Sequence, residues 1–144
     1  MGGEALRRLS LAVLAWMRLA HVFQKVNRAS AAYLRAYGLS VAQFDVLAQV
    51  GAAEGITQQE LADLLLVTKG NICQLLGRME QRGLIERRQE GRANRLYLTD
   101  SGRRLADKVV AGQEALIGEQ FAALAPAEQR QLLALLRKLD HTLG

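Results

Sequence analysis

The sequence predicts a mainly helical protein with one small β-hairpin, in the order α-α-α-α-β-β-α-α. Three observations carry that prediction. Apolar residues recur every three or four positions near both ends of the chain, the spacing of a helix face. Ser40 with Gln43 and Thr57 with Glu60 have the spacing of capping boxes, and Thr68 follows as a further helix cap. Finally, the stretch RRQEGRANRLYLT, from Arg87 to Thr99, holds turn residues in its middle and strand formers at its end.

The first helix is expected over residues 5–37. Leu6, Leu9, Val13, Trp16, Ala20 and Phe23 mark one face, while Leu11, Leu14, Leu19, Val22 and Val26 fall on others. So wide an apolar surface calls for packing on two sides, one of them against another subunit. Gly38 stops this helix. The second opens at Ser40, faces inward through Val41, Phe44, Leu47 and Ala48, and ends in GAAEG. Thr57 starts a short helix with Leu61, Ala62, Leu64 and Leu65. Thr68 starts the next, with Ile72, Leu75, Leu76 and Met79 inward. Arg82 and Gly83 end that helix: a cation at the negative end of the dipole, then a residue free to turn. Two strands are expected over 84–88 and 95–99, joined by EGRAN. Thr99 or Asp100 caps a long helix bearing Leu105, Val109, Gly112 and Leu116. Pro126 sits in the first turn of the last helix. That helix carries Leu132, Leu135, Leu136, Leu139 and Leu143, close to a seven-residue repeat.

Composition narrows the classes. The chain has 144 residues, of which 50% are apolar, enough for one domain with a proper core. A single cysteine, Cys73, rules out an internal disulfide and fits a reducing compartment. Arg7 and Arg8 before LSLAVLAWM imitate a signal peptide, but Arg18 interrupts the apolar run and no small-residue cleavage site follows. No run reaches the ~18 apolar residues of a membrane span, so no membrane partner and a cytoplasmic location are expected. Lys and Arg number 19 against 14 Asp and Glu, a net +5, with a pI near 9.9. Such a balance favours an acidic partner, of which nucleic acid is the commonest.

The charge is concentrated. Between Thr68 and Thr99 lie seven basic residues (Lys69, Arg78, Arg82, Arg87, Arg88, Arg92, Arg95) and three acidic ones (Glu80, Glu86, Glu90), a net +4. Just before and within this stretch, QQELADLLLVTKGNICQLLGRM has the pattern of a helix-turn-helix. Ala62 is small where two helices meet, and Leu66 and Val67 fall in the turn, where glycine is common. Alone, the pattern also fits an ordinary helical hairpin. With the arginine hairpin directly after it, the unit reads as a winged helix. A helix in the major groove would leave the hairpin over the phosphate backbone, where arginines displace counterions or reach the narrow minor groove. The bland alternative, a solvated charged turn, fits this concentration poorly.

The residues from GLSVAQFDVL through QQELADLLLVTKGNICQLLGRMEQRGLIERR to LTDSGRRL resemble the MarR family of bacterial transcription regulators, over about residues 38–105. The resemblance implies one MarR-like domain over 1–144, with dimerisation helices at 1–37 and 101–144 and a winged DNA-binding unit at 38–100. It implies a homodimer on a two-fold-related double-stranded operator, acting as a repressor by occupying a promoter. Mapped onto this chain, DNA contacts fall on Thr68, Lys69, Gly70, Asn71, Cys73, Gln74 and Arg78 of the recognition helix, with Arg87, Arg88, Arg92 and Arg95 in the wing. Asn71 and Gln74 suit adenine edges, and Lys69 suits guanine or phosphate. Glu90 and Arg92 stand where the family carries Asp-x-Arg, and the hairpin is shorter than usual, so Arg92 and Arg95 are both candidates for the wing tip. A small-molecule effector is also implied. By type, Trp16, His21, Phe23, Tyr33, Tyr37 and Phe44 could line its site, although aromatic residues at helical spacing more often pack in a core.

Other chemistry finds little support. His21 and His141 stand at opposite ends, without metal-ligand spacing. No phosphate-binding glycine loop or nucleophilic triad is present, so neither an enzyme nor a cofactor is expected. Two alternatives stay open: a winged-helix module that binds protein, and a redox-responsive regulator using Cys73. For the second, the thiol stands near a helix start and Lys69, a setting in which reactive cysteines occur. However, redox-sensing members of the family usually carry their cysteine in the first helix.

Overall fold

The computed structural model describes residues 8–144. The elements follow in the expected order: α1 (Leu11–Arg35), α2 (Val41–Ala52), α3 (Gln58–Leu65), α4 (Lys69–Gln81), β1 (Ile85–Glu90), β2 (Ala93–Leu98), α5 (Asp100–Gln120) and α6 (Pro126–Thr142). Helix α1 begins at Leu11 rather than near residue 5. Ser10 is the reason: its Oγ accepts from the Val13 N–H at 3.2 Å, satisfying a donor that the helix start leaves unpaired. The expected positions up to Leu6 lie outside the described residues. The helix ends at Arg35, and the chain turns through Gly38 at φ +68°.

The caps behave individually. Ser40 and Gln43 form the full reciprocal box at the start of α2. Thr57 accepts from the Glu60 N–H at 3.0 Å, but the Glu60 side chain stays exposed and makes no return bond to the cap, so only half the expected box forms. Thr68 accepts from Asn71, and Thr99 rather than Asp100 caps α5. At α6, Pro126 takes the first turn, and the Glu128 carboxylate accepts from the Ala125 N–H at 2.9 Å.

The hairpin is longer than expected. Its strands extend to Glu90 and from Ala93, leaving a two-residue turn of Gly91 and Arg92. Gly91 has φ +64°, which a tight two-residue hairpin needs at its first turn position. The loop before α3 adds a short third edge. Thr57 bridges Arg95, Gly55 N–H donates to Leu96 O at 2.9 Å, and Leu96 N–H donates to Ile56 O at 2.9 Å. The hairpin is thus stitched to the start of the helix-turn-helix.

The core lies where α2, α3, α4 and β2 meet the C-terminal end of α1 and the first half of α5. Leu34, Leu47, Leu61, Ile72, Met79, Leu96 and Val109 are completely buried. Each such side chain contributes about 1.5–3 kcal/mol relative to exposure. Two inward faces differ from expectation. In α2, Val46 and Val50 join Leu47 at the centre, while Val41 and Phe44 pack at the margin. In α3, Leu64 points outward. A buried polar pair, Gln113 Nε2 donating to Ser30 Oγ at 2.6 Å, ties α5 to α1.

The two ends of the chain differ from this core. Trp16 is 66% exposed, Phe23 64% and Leu135 59%. No residue of α6 is buried, although its leucines follow one stripe. Among the described residues, no helix is long and apolar enough to cross a membrane.

Candidate nucleic-acid interface

Helix α4 has two faces. Ile72, Leu76 and Met79 are buried, which leaves Asn71, Gln74 and Arg78 on the outer side, three and four residues apart. Thr68, Lys69, Gly70 and Cys73 are also exposed. All seven recognition-helix positions inferred from the sequence therefore lie on accessible surface of one element. Apart from its chain neighbours and the backbone of its own helix, nothing among the described residues lies within 4 Å of a Cβ placed on Gly70, so its surface is open.

The turn that sets α4 against α3 depends on Leu66. This residue has φ +55°, in the left-handed region, and is 93% exposed. Its N–H closes the end of α3 on the Ala62 and Asp63 carbonyls.

The four wing arginines occupy different environments. Pairing of Ile85 with Leu98 and of Arg87 with Leu96 places Arg87 on the inner side of the hairpin. There its guanidinium meets Glu80 of α4 at 2.5 Å and lies 3.8 Å from Cys73 Sγ. The Glu80 hydrogen bond raises the Arg87 pKa, against the smaller opposing effect of burial. Arg88 and Arg95 face each other across the outer side. Like charges directly opposite are unfavourable, but each has an acid. Arg88 meets Glu86 at 3.2 Å and stacks over the Tyr97 ring at 4.3 Å. Arg95 meets Glu90 at 3.1 Å and donates to Gly55 O at 2.9 Å. Arg92 sits in the turn itself, so the turn position belongs to Arg92 and Arg95 lies within β2. The expected basic cluster also includes Arg82, which donates to Gly38 O at 2.8 Å and ties α4 to the start of α2.

Each acid of the Thr68–Thr99 stretch is therefore taken by one wing arginine. Among the described residues, Lys69, Arg78 and Arg92 have no carboxylate within 4 Å. Lys69 and Arg92 line an open cleft of about 300 Å³ between the start of α3, the start of α4 and the wing. Gln58, Gln59 and Asn94 line it too, and sequence reasoning passed over them. Their signal was modest: two polar residues directly after the cap Thr57, and one directly before Arg95.

The six aromatic and histidine positions proposed for an effector are not brought together within one chain. Trp16, His21 and Phe23 lie on the exposed first half of α1. Tyr33 and Tyr37 meet edge to face at 5.5 Å and, like Phe44, pack against the core. Burial, and then Tyr37, raise the Tyr33 pKa. Trp16 and Tyr33 are seventeen residues apart on one helix, about 25 Å along its axis. A different cleft of about 380 Å³ does separate α5 from the winged unit. It is lined by Leu47, Gly51, Leu98, Arg103, Ala106 and Val110 among others, and by none of those six.

Known proteins share this fold. The model of the MarR family matches residues 37–95, from the turn after α1 into β2. An uncharacterized HTH-type transcriptional regulator of Bacillus cereus is 33% identical over 135 residues, covering 93% of this chain and 92% of the relative. Among solved structures, a mutant MarR from Escherichia coli complexed with operator DNA is 30% identical with a TM-score of 0.78, covering 91% of this chain and 99% of that one. A MarR-family regulator from Rhodococcus is 27% identical with a TM-score of 0.82, covering 90% and 94%. With this family match, these identities and this shared fold, the chain belongs to the MarR family and is a transcriptional regulator with a DNA-binding winged helix.

Proposed function

We propose that the protein works as a homodimeric, sequence-specific repressor that covers a two-fold-related operator. The carrying observation is the exposed row of Asn71, Gln74 and Arg78 with Lys69 and Arg92 beside it; among the described residues no carboxylate lies within 4 Å of these three cations. In this reading α4 enters the major groove, where Asn71 and Gln74 read base edges. Lys69 and Arg92 hold phosphates on either side of the cleft. Arg88 and Arg95 reach phosphate only by exchanging their carboxylate partners, so they add less than an uncommitted arginine.

The dimer is supported by the apolar side chains left in solvent on α1 and α6. An apolar groove of about 530 Å³, lined by Leu19, Val22, Phe121, Leu124, Leu132 and Leu136 among others, lies between α1, the end of α5 and α6. A second copy would cover it, and an isologous contact would set two α4 helices for two half-sites. Release by a small molecule belongs to the same reading, and the cleft between α5 and the winged unit is where we place it. Selection of genomic fragments by the purified protein tests the proposal. The expected result is one enriched inverted repeat with half-sites about one helical turn apart, bound by two chains. Fragments without a shared sequence, or with a single half-site, would count against it.

A further inference from the structure

Arg87 differs from its three neighbours in the wing. It faces inward, its side chain is 24% exposed, and its guanidinium is shared among three partners on two helices. Nε donates to Glu80 Oε1 at 2.8 Å, and Nη2 lies 2.5 Å from the same oxygen. Nη1 points to Gln58 Oε1 at 3.4 Å and to Cys73 Sγ at 3.8 Å. Gln58 is the first residue of α3, and Cys73 and Glu80 are two turns apart on α4. One planar group thus touches both helices of the helix-turn-helix from β1. A rigid, multi-donor fork can fix an angle between elements, which a single flexible ammonium cannot do as well. A phosphate could claim the Nε–Nη2 edge of this guanidinium, the edge suited to a bidentate contact, only by displacing Glu80 and leaving that acid unpaired beside DNA.

We infer that Arg87 is a positioning residue: with Glu80 it sets the wing at its angle to the recognition helix, and it is not one of the phosphate contacts. The inference rests on the DNA-binding reading above and adds a division of labour within the wing. It makes Glu80, an acid near a nucleic-acid interface, a contributor to binding rather than a repulsive neighbour.

The test compares Arg87→Gln, Glu80→Gln, the double variant, the swap of Glu80→Arg with Arg87→Glu, and Arg92→Ala. Each is measured for affinity to a selected operator across a series of salt concentrations, and for unfolding in denaturant. Both single Gln variants should weaken operator binding roughly tenfold, within the range of coupling between contacting residues. The double variant should be no worse than either single one, and the swap should recover most of the loss. Arg87→Gln should leave the log–log salt slope unchanged, whereas Arg92→Ala should lower it by about 0.9. If Arg87 contacts phosphate instead, Glu80→Gln will tighten binding and Arg87→Gln will lower the slope; either result overturns the inference. If the wild-type protein binds no duplex, the DNA-binding reading fails on its own. The unfolding cycle then still decides the strut: coupling between positions 80 and 87 supports it, and additive effects reject it.

Discussion

Leu66 shows how much one backbone position can cost. A left-handed conformation is unfavourable for any residue with a Cβ, and more so without contacts that offset it. Leu66 has φ +55° and its side chain lies in solvent. Leu66→Gly should therefore raise stability by about 0.5–1 kcal/mol, after allowing for the greater freedom of glycine in the unfolded chain. Denaturant unfolding checks this, and a less stable variant would mean the leucine packs where none is seen. Asp45 gives a pH-dependent counterpart. It is partly buried in α2, and burial raises its pKa above the ordinary carboxylate value. The folded state then holds the proton more tightly than the unfolded state. The resulting destabilisation is absent at acid pH, grows as pH rises through the ordinary value, and is complete above the raised one. Asp45→Asn should thus stabilise the protein at neutral pH, with the gain vanishing toward acid; a gain that persists in acid would assign it to another cause. Residue-level roles were only partly legible in the sequence. Period-two alternation from the apolar Ile85 puts Arg87 inside and Arg88 outside, so a strict strand reading separates two adjacent arginines. The partner Glu80 lies on another element, and no local pattern in the sequence names it.

The elements themselves were readable because their signals are local. Ser40 with Gln43, Thr68 and Pro126 each announce a helix start through groups within a turn of it, and the helices begin there. The start of α1 was misplaced because apolar spacing continues through Leu6 and Leu9 and hides the Ser10 cap. The strands were cut short because Gln89, Glu90 and Asn94 are poor strand formers; ladder pairing carries them into the sheet. The bridge from Thr57 to Arg95 spans 38 residues, and no spacing rule reaches that far. Helix α6 was legible as an amphipathic stripe, but among the described residues nothing buries that stripe. Leu135 is 59% exposed and Leu139 50%. Replacing both with Glu should leave the winged unit folded, because α6 contributes nothing to the buried core. It should convert a sedimenting dimer to monomers and weaken operator binding sharply. A variant that remains dimeric and binds normally would move the interface elsewhere.

At the scale of the molecule, a winged unit with its own core carries apolar side chains exposed on α1 and α6, which a second copy covers in the proposed reading. The core secures α4 and the hairpin as one body, while three internal ion pairs take up Glu80 of α4 and the wing acids Glu86 and Glu90. What faces outward is then a short set of uncommitted donors: Lys69, Asn71, Gln74, Arg78 and Arg92. The central claim is that α4 reads bases while the wing tip grips the backbone. Its most direct measurement is the ratio of operator affinity to random-duplex affinity, at one fixed salt concentration, for Gln74→Ala and Arg92→Ala. A bidentate amide on an adenine edge is worth about 1–3 kcal/mol of discrimination, whereas a phosphate contact carries no base information. Gln74→Ala should lower the ratio by roughly 5- to 150-fold with little change on random DNA. Arg92→Ala should weaken both duplexes alike and leave the ratio where it was. A ratio untouched by Gln74→Ala but lowered by Arg92→Ala would contradict the account, placing sequence reading in the wing and not in the helix.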